Sequence, residues 1–269
     1  MAQERLGPGP RTALITGASR GIGCELARLF AQDGYGLALV ARSRPELESV
    51  ARELASQHGV PVAVVPQDLA QPGSPEALCA ELRRRSLDID VLVNNAGMGT
   101  YGFFAELDLE TELRMAQLNM VTLTHLTRLL LQPMLERGAG RILNVSSTAA
   151  FQPGPLMAVY YASKAYVLSF SEAIANELRG TGVTVTCLCP GPTRTGFQAR
   201  AKMERSGTAR GKLMDAAEVA RIGYRGMMAG KALVIPGLGN QLLAWAVRFG
   251  PRGLVTNAVR RIQEAGGEG

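Results

Sequence analysis

The sequence is poor in the residues that build metal sites and disulfide frameworks. It has 4 cysteines and 2 histidines in 269 residues, and no two cysteines form a CxxC pair. His58 and His125 lie far from the cysteines along the chain, which argues against a zinc site, and we predict no metal ligand. Because no disulfide framework is evident, we expect a reducing, cytoplasmic setting.

Long apolar runs are also missing. No stretch reaches the roughly 18 uninterrupted apolar residues of a transmembrane helix. Residues 1–11 are polar and rich in glycine and proline, with no hydrophobic signal core, and we interpret residues 1–10 as a flexible N-terminus. No internal repeat or interdomain linker is evident, so the chain length predicts one large α/β domain.

Dense charge of one sign is absent as well. The net charge is +6, from 29 lysines and arginines against 23 acidic residues. The densest basic group is Arg83–Arg85, at the polar end of a predicted helix, where a solvated helix face accounts for it. An excess of positive charge is compatible with nucleic acid, an acidic membrane surface or an anionic small molecule, and because long basic runs are absent we predict no nucleic-acid partner.

Short apolar segments rich in β-branched residues alternate with segments of helical period along most of the chain. The predicted strands are Thr12–Thr16, Gly36–Ala41, Val60–Val65, Ile89–Val93, Arg141–Val145, Val183–Leu188 and Ala232–Ile235. The predicted helices are Gly23–Asp33, Pro45–His58, Pro75–Arg85, Glu110–Arg137, Tyr160–Arg179 and Ala216–Ala229. Strands joined by helical crossovers favour a doubly wound, Rossmann-type α/β fold, with about seven parallel strands and helices on both faces, over residues 11–236.

Two regions depart from this alternation. Residues 193–213 are rich in Arg, Lys, Gly and Ser and follow a strand, which predicts a mobile lid. Residues 237–269 contain two amphipathic segments, Gln241–Phe249 and Leu254–Ile262. We expect this apolar C-terminal extension to pack on the domain or on a partner subunit, and contact with a membrane surface is the alternative.

A glycine-rich turn follows the first predicted strand and opens a helix. The run from Thr16 to Gly23 has the spacing GxxxGxG. Glycines allow the backbone to approach a pyrophosphate, and a helix N-terminus supplies N–H groups and a favourable dipole. In this context the turn predicts a dinucleotide site, although a tight turn without a ligand is the alternative. The predicted contacts are Gly17, Ser19, Arg20, Gly21, Ile22 and Gly23.

The end of the second predicted strand distinguishes between the nicotinamide cofactors. Dinucleotide folds often place an acidic residue here to bind the ribose 2′-hydroxyl. This sequence has Arg42 followed by Ser43, and Arg20 lies within the glycine turn. Two guanidinium groups favour a 2′-phosphate, so we predict that the chain binds NADP(H) rather than NAD(H).

A tyrosine and a lysine four residues apart predict an acid–base group. Tyr160 and Lys164 share one face of a predicted helix. A free tyrosine has a pKa of about 10, and a nearby ammonium group lowers it. Such a phenol can exchange a proton with a carbonyl or alcohol oxygen. Tyr161, three residues before Lys164, competes for this role, and Ser146 adjoins the candidate Ser147.

Taken together, these motifs resemble the short-chain dehydrogenase/reductase family in its compact single-domain form, over roughly residues 10–236. Asn94–Gly97 (NNAG) resembles the family's turn after strand four, and Pro190-Gly191 resembles its PG turn at the nicotinamide end. The family's serine lies 13 residues before its tyrosine, which selects Ser147 and Tyr160.

The resemblance implies a role for each matching residue. Ser147 would hydrogen-bond the substrate carbonyl, and Tyr160 would transfer the proton. Lys164 would also bind the nicotinamide ribose, and Asn119 would hold a water that links Lys164 to solvent. The resemblance places further cofactor contacts at Asp68 (the adenine amino group), Leu69, Asn95, Ala96, Gly97, Pro190, Gly191, Thr193 and Thr195 (the carboxamide).

The leading hypothesis is an NADP(H)-dependent oxidoreductase that interconverts a ketone and a secondary alcohol. The runner-up is reduction of a β-ketoacyl thioester, in which basic lid residues would receive a phosphopantetheine carrier. Those residues are Lys202, Arg205, Arg210 and Lys212. A catalytically silent nucleotide-sensing protein is the third alternative, although Asn119, Ser147, Tyr160 and Lys164 are all present.

The predicted substrate pocket is mostly apolar, which favours a hydrophobic substrate. Its expected large apolar residues are Phe103, Phe104, Phe151, Met157 and Phe197. Members of the family commonly assemble on two long helices, here Glu110–Arg137 and Tyr160–Arg179. We therefore expect a homodimer or a homotetramer.

Overall fold

The strands and helices follow one another in the order that the sequence pattern predicts. The computed structural model describes residues 11–203, 206–207 and 213–264. The predicted flexible N-terminus at residues 1–10 lies outside the described residues. The same holds for three of the basic lid residues, Arg205, Arg210 and Lys212.

The described strands form one large sheet and one small pair. They are β1 (Thr12–Thr16), β2 (Gly36–Ala41), β3 (Val62–Pro66), β4 (Val91–Asn94), β5 (Gly140–Val145), β6 (Val183–Leu188), β7 (Thr193–Arg194), β8 (Met214–Asp215) and β9 (Leu233–Val234). Seven strands of this described set pair in parallel in the order β3-β2-β1-β4-β5-β6-β9, and β7 pairs with β8. The predicted doubly wound α/β fold is confirmed.

Helices cover both faces of the large sheet. They are α1 (Gly21–Gln32), α2 (Arg44–His58), α3 (Ser74–Arg84), α4 (Leu109–Ala116), α5 (Leu123–Glu136), α6 (Ala158–Glu177), α7 (Phe197–Arg200), α8 (Ala216–Met228), α9 (Leu238–Ala246) and α10 (Arg252–Glu264). No helix of the described ranges combines the length and the apolar content needed to span a membrane.

Each face of the sheet carries its own apolar core. Successive side chains of β1 point to opposite faces, so Ala13 and Ile15 join one core and Leu14 joins the other. The first core packs against α1, α2 and α8, and the second packs against α3, α5 and α6. Because both faces of the sheet are buried, the sequences of the central strands are continuously apolar and do not alternate between apolar and polar residues.

The strand order changes direction between β1 and β4, which fixes the position of a crevice. The chain winds outward from β1 to β2 and β3, then returns and winds outward through β5 and β6. Loops at the carboxyl ends of β1 and β4 therefore diverge, and in such sheets ligands bind there.

The long helix predicted at Glu110–Arg137 contains a local irregularity. A π-helical segment, Gln117–Thr122, separates α4 from α5. This segment carries Asn119, whose side chain is buried. Single π-turns within α-helices are frequent at functional sites, and the hydrophobic period does not reveal them because the helix continues on both sides.

The C-terminal helix α10 packs against the domain next to the crevice. Gln263 is completely buried, and its Nε2 atom donates to the hydroxyl of Tyr161 at 2.8 Å. The hydroxyl of Tyr101 donates to the carbonyl of Gln263, also at 2.8 Å. Ser206 hydrogen-bonds the Gln263 side chain as well. These contacts anchor α10 on the α/β domain.

Candidate active site

A cavity of about 1030 Å³ lies at the carboxyl ends of β1, β4 and β5. The structure brings nearly all of the predicted site residues to its wall. They are Gly17, Ser19, Arg20, Gly21, Ile22, Arg42, Ser43, Asp68, Leu69, Asn95, Ala96, Gly97, Ser147, Tyr160, Lys164, Pro190, Gly191, Thr193 and Thr195. Two predicted residues, Gly23 and Asn119, do not line this cavity and lie behind its wall instead.

The glycine turn needs its glycines for close packing and for backbone conformation. Gly17 and Gly21 have φ values of +66° and +58°, which side chains disfavour. A Cβ atom on Gly23 would lie 2.4 Å from the Nδ2 atom of Asn95 and from the Gly17 carbonyl oxygen. Gly23 therefore supports the turn by letting α1 approach it, and it forms no part of the cavity wall.

Thr16 joins this turn to the loop after β4. Its buried hydroxyl accepts hydrogen bonds at 3.0 Å from the amides of both Asn95 and Ala96, and donates to the carbonyl of Val93. The Asn95 side chain donates to the carbonyls of Thr16 and Gly17 at 2.9 and 3.1 Å. The two loops are thus held together as one rigid rim of the crevice.

Three arginines meet at one end of the cavity. Arg20, Arg42 and Arg200 all line it. Burial lowers the pKa of Arg200, and the positive charges of Arg20 and Arg42 lower it further. Arg20 also forms an ion pair with Glu46, another residue of the cavity wall. This end of the site is therefore strongly cationic and suited to a doubly charged phosphate.

Asp68 is already engaged by neighbouring groups. Its carboxylate accepts hydrogen bonds from Arg114 at 2.8 Å and from the Ala70 amide at 3.1 Å. Arg114 and Arg200 also line the cavity, and no sequence pattern predicted them there. The signal for Arg200 was only the basic composition of residues 193–213, and Arg114 lies in a helix where an arginine is ordinary.

The predicted acid–base pair lies at the other end of the cavity. Burial raises the pKa of Tyr160 to about 12, so the lowering predicted from the nearby Lys164 is not found, and a hydrogen bond with Ser147 acts in the opposite direction. Burial lowers the pKa of Lys164 to about 8. The Lys164 Nζ atom lies 5.8 Å from the centre of the Tyr160 ring and donates to the carbonyl of Val145 at 2.9 Å. At neutral pH the phenol is protonated and the amine is charged.

The structure separates the residue pairs that spacing alone left in competition. The Ser146 hydroxyl donates to the Lys164 carbonyl at 2.7 Å and is buried against α6, whereas Ser147 lines the cavity and acts to lower the pKa of Tyr160. Tyr161 is also buried, and its hydroxyl accepts from Gln263. Tyr161 therefore forms part of the pocket wall, with its hydroxyl engaged by the C-terminal helix.

Asn119 lies behind this group, in the π-helical segment. Its side chain bonds both backbone groups of Met98, accepting at 3.1 Å and donating at 2.9 Å, and donates to Ser163 Oγ at 3.0 Å. A methyl group at Gly97 would lie 3.4 Å from Asn119 Oδ1 and 3.5 Å from Lys164 Nζ. The two polar atoms thus border the same narrow space.

Beyond Tyr160 the cavity is mostly apolar, and the C-terminal extension supplies much of its wall. The contributing residues of the extension are Asn240, Leu243, Val247, Val255, Ala258, Val259, Ile262 and Gln263. Met157 and Phe197 line the cavity as predicted. The predictions for three other residues were wrong, because Phe103 and Phe104 point largely to solvent and Phe151 lines a separate cleft.

One polar group in this region has no partner within the described residues. The Oε1 atom of Gln152 is buried and accepts no hydrogen bond there, although Gln152 lines the cavity. A buried acceptor of this kind is suited to a donor on a ligand. The sequence analysis missed Gln152, because a lone glutamine in a loop carries no pattern.

The comparisons with known proteins agree with this geometry. A family model described as short chain dehydrogenase matches residues 11–206. The chain therefore belongs to the short-chain dehydrogenase/reductase family, a family of oxidoreductases.

Individual relatives match over most of the chain. A ketoacyl reductase of Nostoc sp. is 37% identical over 181 residues, which cover 67% of this chain and 63% of the relative. This chain thus spans less than two thirds of that relative's length. A short-chain dehydrogenase from Sphingobium yanoikuyae, solved in complex with NADPH, is 33% identical with a TM-score of 0.81, covering 91% of this chain and 94% of that one.

A further solved structure shares the fold. It is the bulky-bulky ketone specific alcohol dehydrogenase from Comamonas testosteroni, which is 30% identical with a TM-score of 0.76. The match covers 90% of this chain and 93% of that chain.

Proposed function

We propose that this protein is an NADP(H)-dependent oxidoreductase that interconverts a ketone and a secondary alcohol. One observation carries the proposal: Ser147, Tyr160 and Lys164 meet in an apolar cavity whose opposite end is lined by three arginines. A reduction that uses NADPH needs a proton donor for the substrate oxygen and a site for the phosphates of the cofactor. The two ends of this cavity offer one of these each.

The residues present fit a nicotinamide dinucleotide phosphate. The glycine turn offers close backbone approach at Gly17 and Gly21, where side chains would collide with Asn95 and Thr195. Arg20, Arg42 and Arg200 would hold the 2′-phosphate, and no carboxylate occupies the strand end at Arg42. When bound, the nicotinamide supplies or accepts the hydride.

The protein's own residues would move the proton. In the reductive direction Tyr160, protonated at neutral pH, donates its phenolic proton to the carbonyl oxygen as that oxygen gains negative charge. Ser147 donates a hydrogen bond to the same oxygen and stabilises the charge. The Lys164 ammonium stabilises the phenolate that remains. Asn119 borders the space beside Lys164, and there it would hold the water through which a proton returns from solvent to Lys164.

A β-ketoacyl thioester is the second candidate substrate, and it fits the same reaction. The observation in its favour is the name of the Nostoc relative, a ketoacyl reductase. The apolar wall beyond Tyr160 suits an acyl chain as well as a bulky ketone. A kinetic comparison of acyl-carrier thioesters with free ketones would separate these two substrate classes.

Exposed apolar side chains on the long helices support the proposal that the chain is a homodimer or a homotetramer. Leu109 and Leu113 on α4, Val121 in the π-helical segment and Tyr166 on α6 are all exposed. Size-exclusion chromatography with light scattering would test this. A monomer at every concentration would contradict it.

The decisive experiment follows NADPH oxidation with a panel of bulky ketones, and NADP⁺ reduction with secondary alcohols. Tyr160→Phe should lower the turnover number by about 10²- to 10⁴-fold, because the proton donor is lost. Tyr161→Phe is the matched control, since it removes only a hydroxyl that bonds Gln263, and it should retain most of the activity. No turnover with any member of the panel, or equal activity of Tyr160→Phe and the wild type, would refute the proposal.

A further inference from the structure

The outer face of α9 carries an apolar stripe that nothing in the described structure covers. Leu238, Leu242, Trp245 and Phe249 follow the helical spacing of four, three and four residues. Their exposed fractions are 78%, 68%, 64% and 71%. The rings of Trp245 and Phe249 pack with their centres 4.6 Å apart, so the stripe continues past the end of the helix.

The opposite side of the same segment faces the active-site cavity. Ala244 is buried, and Leu243 and Val247 line the cavity wall. On α10, Leu254 is also strongly exposed. The C-terminal extension therefore has an inner face that closes the cavity and an outer apolar face. An exposed apolar surface of this kind marks an interaction site.

Cationic side chains flank this stripe. A cleft of about 790 Å³ beside Trp245 is lined by Arg225, Lys231 and Arg248, with apolar residues between them. The described lining of this cleft includes no acidic side chain. Arg252 is exposed at the start of α10. The outer face of the extension thus combines an apolar stripe with a positively charged border.

We propose that this face binds the surface of an anionic phospholipid bilayer. Apolar and aromatic side chains beside arginines are the composition of segments that lie in the membrane interface, where tryptophan is favoured. Negatively charged headgroups complement Arg225, Lys231 and Arg248.

A second copy of the chain fits this face less well than a bilayer does. A two-fold contact is self-complementary, so it would bring the cationic borders of both copies, with Arg248 and Arg252, into one interface. Adsorption on a bilayer would instead bring apolar compounds close to the extension that closes the cavity. That last consequence rests on the proposed function, whereas the binding itself does not.

The chain contains a single tryptophan, Trp245, which reports directly on this face. The full-length protein is mixed with vesicles of equal parts phosphatidylglycerol and phosphatidylcholine, and its fluorescence and co-sedimentation are measured. The expected result is a blue shift of the emission, and quenching when the acyl chains are brominated, with binding that weakens as salt is raised. Vesicles of phosphatidylcholine alone should bind at least about tenfold more weakly.

Two sets of variants test the assignment. The double variant Leu242→Ser, Phe249→Ser should lower partition into the mixed vesicles by about tenfold or more, through lost apolar contact. Phe104→Ser is the matched control, because Phe104 is 63% exposed but lies outside the C-terminal extension. Arg248→Gln with Arg252→Gln should weaken binding by about fivefold for each charge removed.

Several outcomes would overturn the proposal. An unchanged emission spectrum without co-sedimentation excludes the bilayer as partner. Equal binding to both vesicle types, or equal loss in Phe104→Ser, excludes the stated mode of binding. If the double variant instead dissociates an oligomer of the wild type in light scattering, the face is a subunit interface. Circular dichroism and NADPH binding show whether each variant is folded, and neither depends on turnover.

Discussion

Replacement of Arg42 by alanine should distinguish the two nicotinamide cofactors. Arg42 lies at the end of β2, on the cavity wall that also includes Arg20 and Arg200. The pKa of Arg200 is lowered by its burial and by the charges of the other two arginines, so the three guanidinium groups add to one positive potential at this end of the cavity. A hydrogen bond to a charged group is worth about 1.5 to 3 kcal/mol. We therefore expect Arg42→Ala to weaken NADPH binding by about 10- to 150-fold.

The assay is a fluorescence titration with NADPH and, in parallel, with NADH. NADH carries no 2′-phosphate, so its affinity should change little in the variant. Arg44→Ala is the matched control, because Arg44 is exposed, pairs with Glu48 and does not line the cavity. Equal weakening of NADPH and NADH binding, or no change for either, would refute the assignment of Arg42 to the phosphate.

Glu46 offers a test in the opposite direction. Its carboxylate forms an ion pair with Arg20 at the same end of the cavity. Both side chains are partly exposed, so the pair is worth at most about 1 kcal/mol. Glu46→Gln should release Arg20 for the phosphate and raise NADPH affinity by about two- to fivefold in the same titration. A decrease in NADPH affinity would show that Glu46 supports the site instead.

Three further predictions concern the acid–base group and the frame around it. Burial lowers the pKa of Lys164 to about 8, so the charged form of its amine is lost as pH rises through that value. The value of kcat/KM for ketone reduction should therefore fall near the same pH. A kcat/KM profile that stays flat to about pH 10 would contradict the role of Lys164. Gly182→Ala should lower the free energy of unfolding in urea by about 2 to 4 kcal/mol, because its Cβ would lie 1.9 Å from the carbonyl oxygen of Gly138. Gly180 has the same φ of +81° and no close neighbour, so Gly180→Ala should cost only about 1 to 2 kcal/mol. Equal losses of stability in the two variants would show that the contact with Gly138 is irrelevant. Thr16→Val should cost about 2 to 4 kcal/mol in the same measurement, because two part-buried amides lose their acceptor inside the fold, and an unchanged stability would contradict that account.

The fold was predictable because its signals are local. Apolar runs and helical periods placed the strands and helices to within a few residues. The start of β3 moved from the predicted Val60 to Val62, since Pro61 between them has no amide hydrogen for the ladder. The π-helical segment around Asn119 was missed, because a single wide turn leaves the surrounding period intact.

The site residues likewise fall into those that local sequence patterns predicted and those that only the structure revealed. The sequence by itself determined the glycine turn, the strand-end Arg42 and the pair Tyr160 and Lys164, because each depends on spacing within one turn, strand end or helix. Only the tertiary structure decided which other groups join them. The charge of Arg42 lowers the pKa of Arg200, which lies 158 residues away along the chain, and Gln263 hydrogen-bonds Tyr161, which lies 102 residues away. Contacts over such separations follow from the packing of the whole fold, and no local pattern records them.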